Sequence, residues 1–237
     1  MNLRRIKKIA EKNTPKITVK VIPGTYREDV ISSLHGNQNI GIELGVAQGV
    51  FSKKMMNSRK FSHFYGIDMY ADTIHNTNEY KLALRHIGLD SNYKLLRMTF
   101  DDALDLFEDN YFDFIYIDGF AHTGEDGGET LRKWYKKLKI GGVFAGDDYH
   151  SDWPLVIWAV NDFSKQINSS LSITDMPGES DYCHYPSWFI KKEYECKNFI
   201  DSSALKKAAL KEKNRVERRR LWMSRIRKIW SKAQRLR

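Results

Sequence analysis

Residues 40–49 read IGIELGVAQG. The apolar run Ile40-Gly41-Ile42-Glu43-Leu44 has the composition of a buried strand, and the helix-like stretch 48–57 follows it. Between them lie Gly45 and Gly49. Gly45 permits a tight turn with close backbone approach, and Gly49 lets the helix pack near the strand. Twenty-five residues after Glu43, Asp68 closes the next apolar run, Phe64-Tyr65-Gly66-Ile67-Asp68, where an acid can accept both hydroxyls of a ribose. The middle glycine of the dinucleotide fingerprint GxGxxG is missing, and no GKS or GKT follows, which excludes a P-loop. On these residues alone an ordinary strand-to-helix turn is the competing reading.

Working outward, apolar runs at 93–97, 112–117 and 142–146 alternate with helix-like stretches at 76–88, 100–107, 127–138 and 154–168. That alternation predicts an α/β fold: a Rossmann-like, doubly wound, mostly parallel sheet. Two later runs, 170–173 and 187–190, flank the turn-rich stretch MPGESDYCHYP and predict an antiparallel pair at one edge. Residues 24–36 read as a short helix. In such a sheet, ligands bind beyond the carboxyl ends of the strands. Four of the five main strand candidates end in carboxylate: Glu43, Asp68, Asp118, and Asp147 with Asp148.

Burying Asp147 and Asp148 side by side requires a positive partner. Asp118, Asp147 and Asp148 together offer the hard oxygen ligands that Mg²⁺ prefers. Neighbouring side chains on a strand face opposite ways, so the pair converges only if the strand has ended, which Gly146 permits. The alternative has one Asp capping a loop and the other in solvent.

Charge is unevenly placed in a chain of 237 residues and net charge +9. Residues 1–20 hold seven Lys or Arg and one Glu, residues 201–237 fourteen against three acids, and the 180 between sum to −8. A uniformly basic nucleic-acid-binding domain is thereby excluded. Two cysteines without CxxC spacing suit a reducing compartment, and no run reaches the roughly 20 apolar residues of a membrane span. The basic N-terminus has no apolar core of a secretory signal. Three regions are expected: a basic segment at 1–22, a central domain at 23–195, and a basic amphipathic helical tail at 196–237.

ELGVAQG at 43–49, GID at 66–68, YIDG at 116–119 and GGVFAGDDY at 141–149 resemble class I S-adenosylmethionine-dependent methyltransferases. The bacterial metal-dependent sugar (macrocin-type) O-methyltransferases are the group they resemble most, over about residues 35–192. The resemblance implies that Glu43, Gly45, Gln48 and Gly49 hold the methionine moiety of S-adenosylmethionine and that Asp68 holds its ribose. It further implies that Thr99 and Phe100 border the adenine, although MTFDD departs from the usual Gly-Asp or Gly-Ser pair there. Asp118, Asp147 and Asp148 would hold Mg²⁺ or another divalent cation, which would lower the pKa of an acceptor hydroxyl and orient it. The lysine that catechol-type relatives place near residue 121 is absent. His122 is the candidate general base and His150 the second, with a bystander loop histidine as the competing reading. Gly124, Gly127 and Gly128 suggest either a loop over the site or plain turn chemistry.

In the tail, Trp222, Ile226, Ile229, Trp230, Ala233 and Leu236 fall on one helical stripe among basic residues. An anionic membrane surface and self-association are its two leading partners, with nucleic acid third. The expected function is an S-adenosylmethionine- and Mg²⁺-dependent O-methyltransferase acting on a sugar or glycan hydroxyl, with a role in cell-envelope polysaccharide synthesis. Its expected place is the cytoplasm, peripheral on the inner face of the membrane. The rivals are an RNA methyltransferase recruited by the basic ends and a metal-dependent hydroxylase that shares the fold.

Overall fold

A computed structural model describes residues 3–71, 75–88, 90–118, 126–176, 184–196 and 198–235. The strands are β1 (Val19–Ile22), β2 (Asn39–Leu44), β3 (Phe61–Ile67), β4 (Tyr93–Leu96), β5 (Phe112–Ile117), β6 (Leu138–Gly146), β7 (Leu171–Thr174) and β8 (Trp188–Lys191). They form one sheet in the order β1-β7-β8-β6-β5-β2-β3-β4. β2 pairs in parallel with β3 on one side and with β5 on the other, so the winding reverses beside β2. β8 runs antiparallel to both β6 and β7, as the sequence predicts for that edge.

Successive side chains of a strand face opposite ways, so β5 feeds two separate cores. Phe112, Ile115 and Ile117 join one cluster with residues of α1 (Leu3–Asn13), α5 (Glu129–Tyr135), α6 (Pro154–Gln166) and α7 (Ser203–Arg235). Phe114 and Tyr116 join the other, with residues of α2 (Val50–Asn57) and α3 (Thr77–Ile87). The short α4 (Phe100–Ala103) and a 3-10 turn at Leu104–Leu106 replace the single helix expected at 100–107. With both faces covered, the doubly wound architecture stands.

The N-terminal region departs from expectation. Within the basic segment 1–22, the described residues from 3 onward pack on the central domain. Ile6 and Ala10 of α1 are buried in the core, and β1 pairs in parallel with β7 as the outermost strand. In place of a helix over 24–36 there is one 3-10 turn, Arg27–Ile31, with Val30 and Ile31 buried beneath it. The amphipathic pattern of α1 alternates lysines and arginines with only a few apolar residues, which reads as charge until the packing shows its inner stripe.

The tail forms α7, a 33-residue helix. Its first turns dock through the buried Leu205, Ala208 and Ala209. On the proposed stripe, Trp222 is 60 % exposed. The side chains of Ile229, Trp230 and Ala233, and Leu236 altogether, lie outside the described residues. Among the described residues no helix is long and apolar enough to cross a membrane.

Candidate active site

The stretch that opens the domain forms a unit in which backbone and carboxylates support each other. Strand β2 ends at Leu44, and the amide of Gly45 donates to the Ile67 carbonyl at 2.8 Å. Gly45, Ala47 and Gly49 all have positive φ, at 95°, 47° and 77°. A Cβ at Gly49 would lie 2.7 Å from Ile87 of α3, so glycine is required there by both conformation and space. Asp68, at the end of β3, accepts the Val46 and Ala47 amides on Oδ2 at 3.1 and 3.0 Å. Its Oδ1 accepts the Tyr70 amide at 3.0 Å and keeps a lone pair for a further donor such as a ribose hydroxyl. Turn and acid are one structure rather than two adjacent motifs.

Glu43 is 1 % exposed. The Ser52 hydroxyl of α2 donates to its Oε2 and lies 3.0 Å from the Tyr93 hydroxyl. Burial pushes the Glu43 carboxyl up to about 8, partly opposed by the Arg27 charge and the Ser52 hydrogen bond. A cation bound beside Glu43 would relieve that cost, which suits an acid expected to face a positively charged ligand. Gly66 of the GID motif serves close approach: a Cβ there would sit 2.1 Å from the Tyr93 hydroxyl and 2.7 Å from Val46. The Gln48 carbonyl, in the same turn, is 2.8 Å from His86 Nδ1.

Asp118, at the end of β5, and Asp147, just past β6, converge as expected, but on a cation that the chain itself supplies. Arg27, 4 % exposed, bonds to Asp118 Oδ2 through Nη2 and to Asp147 Oδ2 through Nη1 at 3.1 Å. Its guanidinium carbon lies 4.7 Å from the Phe51 ring centroid and 4.9 Å from that of Tyr116. The other oxygen of Asp147 accepts from the Ser187 hydroxyl at 3.2 Å, and Ser187 is 2.8 Å from the Tyr116 hydroxyl. The positive partner that these carboxylates require is therefore Arg27, where a divalent cation was expected. The donor set does not fit Mg²⁺ in this arrangement, because Asp118 and Asp147 each give an oxygen to the guanidinium and Asp147 gives its other oxygen to Ser187. Among the described residues no group of three His, Cys, Asp or Glu is placed to hold a metal ion.

Strand β6 ends at Gly146, where a Cβ would lie 2.6 Å from Trp188 and 2.7 Å from the Ile117 carbonyl. Two residues on, Asp148 adopts φ 62°, a left-handed conformation that costs a non-glycine residue about 1 kcal/mol or more. Burial, then the charges of Asp147 and Asp118, push its carboxyl up to about 8. The third aspartate thus belongs to the same acidic cluster. His150, the second candidate base, stacks on Tyr185 with centroids 4.5 Å apart, and Trp153 meets Tyr185 edge-on at 6.5 Å. Its Nδ1 accepts the Asp152 amide at 3.2 Å.

Elsewhere the candidates take structural roles. The Thr99 hydroxyl caps α4, accepting the Asp102 amide at 3.0 Å and donating to its carboxylate at 2.6 Å. Phe100 is half-buried against the core. Gly127 and Gly128 have φ 72° and 79° and enter α5, while Asp126 accepts three amides there, those of Gly128, Glu129 and Thr130, so turn chemistry accounts for them. His122 and Gly124 lie outside the described residues. Arg27 is the residue that sequence reasoning missed. The signal was a single arginine next to the apolar Val30 and Ile31, with nothing local to link it to aspartates some 90 and 120 residues away.

Residues 40–149 match the family model described as "Methyltransferase domain". The match begins on the first apolar residue of β2 and ends just past Asp147 and Asp148, so it encloses the glycine turn, Asp68 and all three aspartates, while Arg27 precedes it. Among solved structures, a provisionally named O-methyltransferase from Klebsiella pneumoniae superposes with a TM-score of 0.53 at 16 % identity, covering 81 % of this chain and 90 % of that one. The spermidine synthase of Thermotoga maritima gives 0.53 at 19 %, over 72 % of this chain and 59 % of that one. A provisionally named S-adenosylmethionine-dependent methyltransferase from Listeria monocytogenes gives 0.41 at 18 %, over 52 % of this chain; this chain spans about half of it, 51 %. No curated protein matches in sequence. The two superpositions with TM-scores of 0.53 show the Rossmann-like fold. The spermidine synthase shows that the fold alone does not choose the reaction.

Proposed function

We propose that this chain is an S-adenosylmethionine-dependent methyltransferase whose acceptor is a hydroxyl of a sugar or glycan. The observation that carries the donor half is the hydrogen-bonded unit of Glu43, the Gly45–Gly49 turn and Asp68, set where the winding of the sheet reverses. When bound, the donor supplies an electrophilic sulfonium methyl group. Glu43 and the turn would hold its methionine end and Asp68 its ribose. The partly buried site around them would keep water from competing with the acceptor. The divalent ion has no part in this reading, because Arg27 bonds to Asp118 and Asp147.

The acceptor class rests on the resemblance to sugar O-methyltransferases and is supported by the aromatic group of His150, Trp153 and Tyr185, which follows Asp148 in the chain and in space. Flat aromatic faces with polar rims suit the apolar faces of sugar rings. A basic α7 with exposed Trp222 suits an anionic membrane surface or a second copy of the chain, and with it a cytoplasmic, membrane-peripheral place in envelope glycan synthesis. Calorimetry with S-adenosylmethionine tests the donor half: binding that weakens at least tenfold in Asp68→Ala supports it, and no heat in the wild type ends it. Methyl transfer from labelled donor to a panel of glycans, with nucleic acid as the comparison, tests the acceptor half.

A further inference from the structure

The three aspartates at the ends of β5 and β6 need positive charge, and the resemblance assigned that task to a divalent ion. We propose that Arg27 is the permanent cation of this site and that the chain works without a metal there. The planar guanidinium spans two carboxylates that come from different strands, which a lysine's point charge cannot do in the same way. Its face lies against Phe51 and Tyr116, themselves stacked with centroids 4.1 Å apart, so the charge is held from the side as well as from the ends.

The arginine is held by the scaffold around it rather than by the aspartates alone. The Thr25 amide donates to Asp175 Oδ1 at 3.1 Å, and the Met176 amide donates to the Thr25 carbonyl at 3.0 Å. On the following residues, Glu28 pairs with Lys54 of α2 at 2.7 Å, and the Tyr26 amide donates to Asp29 at 2.8 Å. Strand β1 fixes the chain immediately upstream. For a metal to enter, this buried cation would have to leave two aromatic rings and two carboxylates while its backbone stayed pinned. Charge at the site is therefore set by the fold and does not depend on the supply of an ion. Arg27 acts as a positioning residue: it keeps Asp118 and Asp147 at the strand ends where the acceptor is to be placed.

The inference takes its role for the site from the methyltransferase reading, but the place of Arg27 is tested separately. Mn²⁺ is titrated into the full-length protein, with and without S-adenosylmethionine, and free Mn²⁺ is followed by electron paramagnetic resonance. The expected result is no loss of free signal with the wild type and, for Arg27→Met, uptake of about one Mn²⁺ per chain that Asp147→Asn in the same background removes. Stoichiometric uptake by the wild type, lost in Asp147→Asn, overturns the proposal. Should Arg27→Met fail to fold, Arg27→Lys retains the charge and is expected to exclude Mn²⁺, and the wild-type titration decides in any case. Calorimetry on the same samples reports donor binding on its own, so failure of the methyltransferase reading and failure of this one give different results.

Discussion

At the scale of single residues, Glu43 and Arg27 are coupled buried charges with opposite legibility. Glu43 was readable because an apolar run, an acid and two glycines lie within the ten residues 40–49. Arg27 was not, because its partners are distant in sequence and ionic pairing leaves no local pattern. Replacing Arg27 by Ala would strand the buried carboxylate of Asp147 and the partly buried one of Asp118, and we expect a loss of about 3–5 kcal/mol in denaturant unfolding. Glu43 has an ordinary value of 4.5 and is raised to about 8, so the folded protein holds its proton more tightly than the unfolded chain. Its contribution to stability is complete below 4.5 and is lost as pH rises through about 8. Urea unfolding from pH 5 to 8 should therefore show stability declining, with a shallower decline in Glu43→Gln. Asp147 and Asp148, also raised, keep some slope in that variant.

At the scale of elements, seven of the eight strands described and most of the helices follow from apolar periodicity and glycine punctuation, with ends shifted by a few residues. Strand β6 begins four residues earlier than its apolar run, because Gly141 and Gly142 separate Leu138 and Ile140 from Val143-Phe144-Ala145 and interrupt the pattern. Strand β1 was hidden in a lysine-rich segment, since an edge strand with one open side tolerates charge. Where a motif glycine serves close approach, the cost of filling it can be forecast. Gly66→Ala places a methyl group onto Tyr93 and Val46, and we expect a loss of about 1–3 kcal/mol together with weaker donor binding, read by thermal unfolding and calorimetry. His122 and the acceptor loops belong to a different problem: no periodicity governs them, and sequence proposes their chemistry without placing it.

At the scale of the whole molecule, the division into basic ends and an acidic centre describes charge but not structure. Both ends are built into the body, α1 against α6 and α7, and α7 through Leu205, Ala208 and Ala209. Truncation should separate the two parts of the tail. Removing residues from 214 onward is expected to leave the melting temperature nearly unchanged, whereas removal from 203 onward uncovers core and lowers it by several degrees. If α7 serves a membrane, only the shorter truncation is needed to abolish binding to anionic vesicles.

The outer strand β1 has a consequence for how the molecule comes together. Val19–Ile22 precede every other strand described, yet they pair with Leu171–Thr174, about 150 positions later. Loop closure over that distance is entropically costly and slow relative to the local units of the sheet. On a ribosome the central strands can form while β1 waits for β7, and Arg27 meets Asp147 only after the 120 positions that separate them have been made. The acidic ends of β5 and β6 thus repel one another until late, and the arrival of Arg27 completes the site.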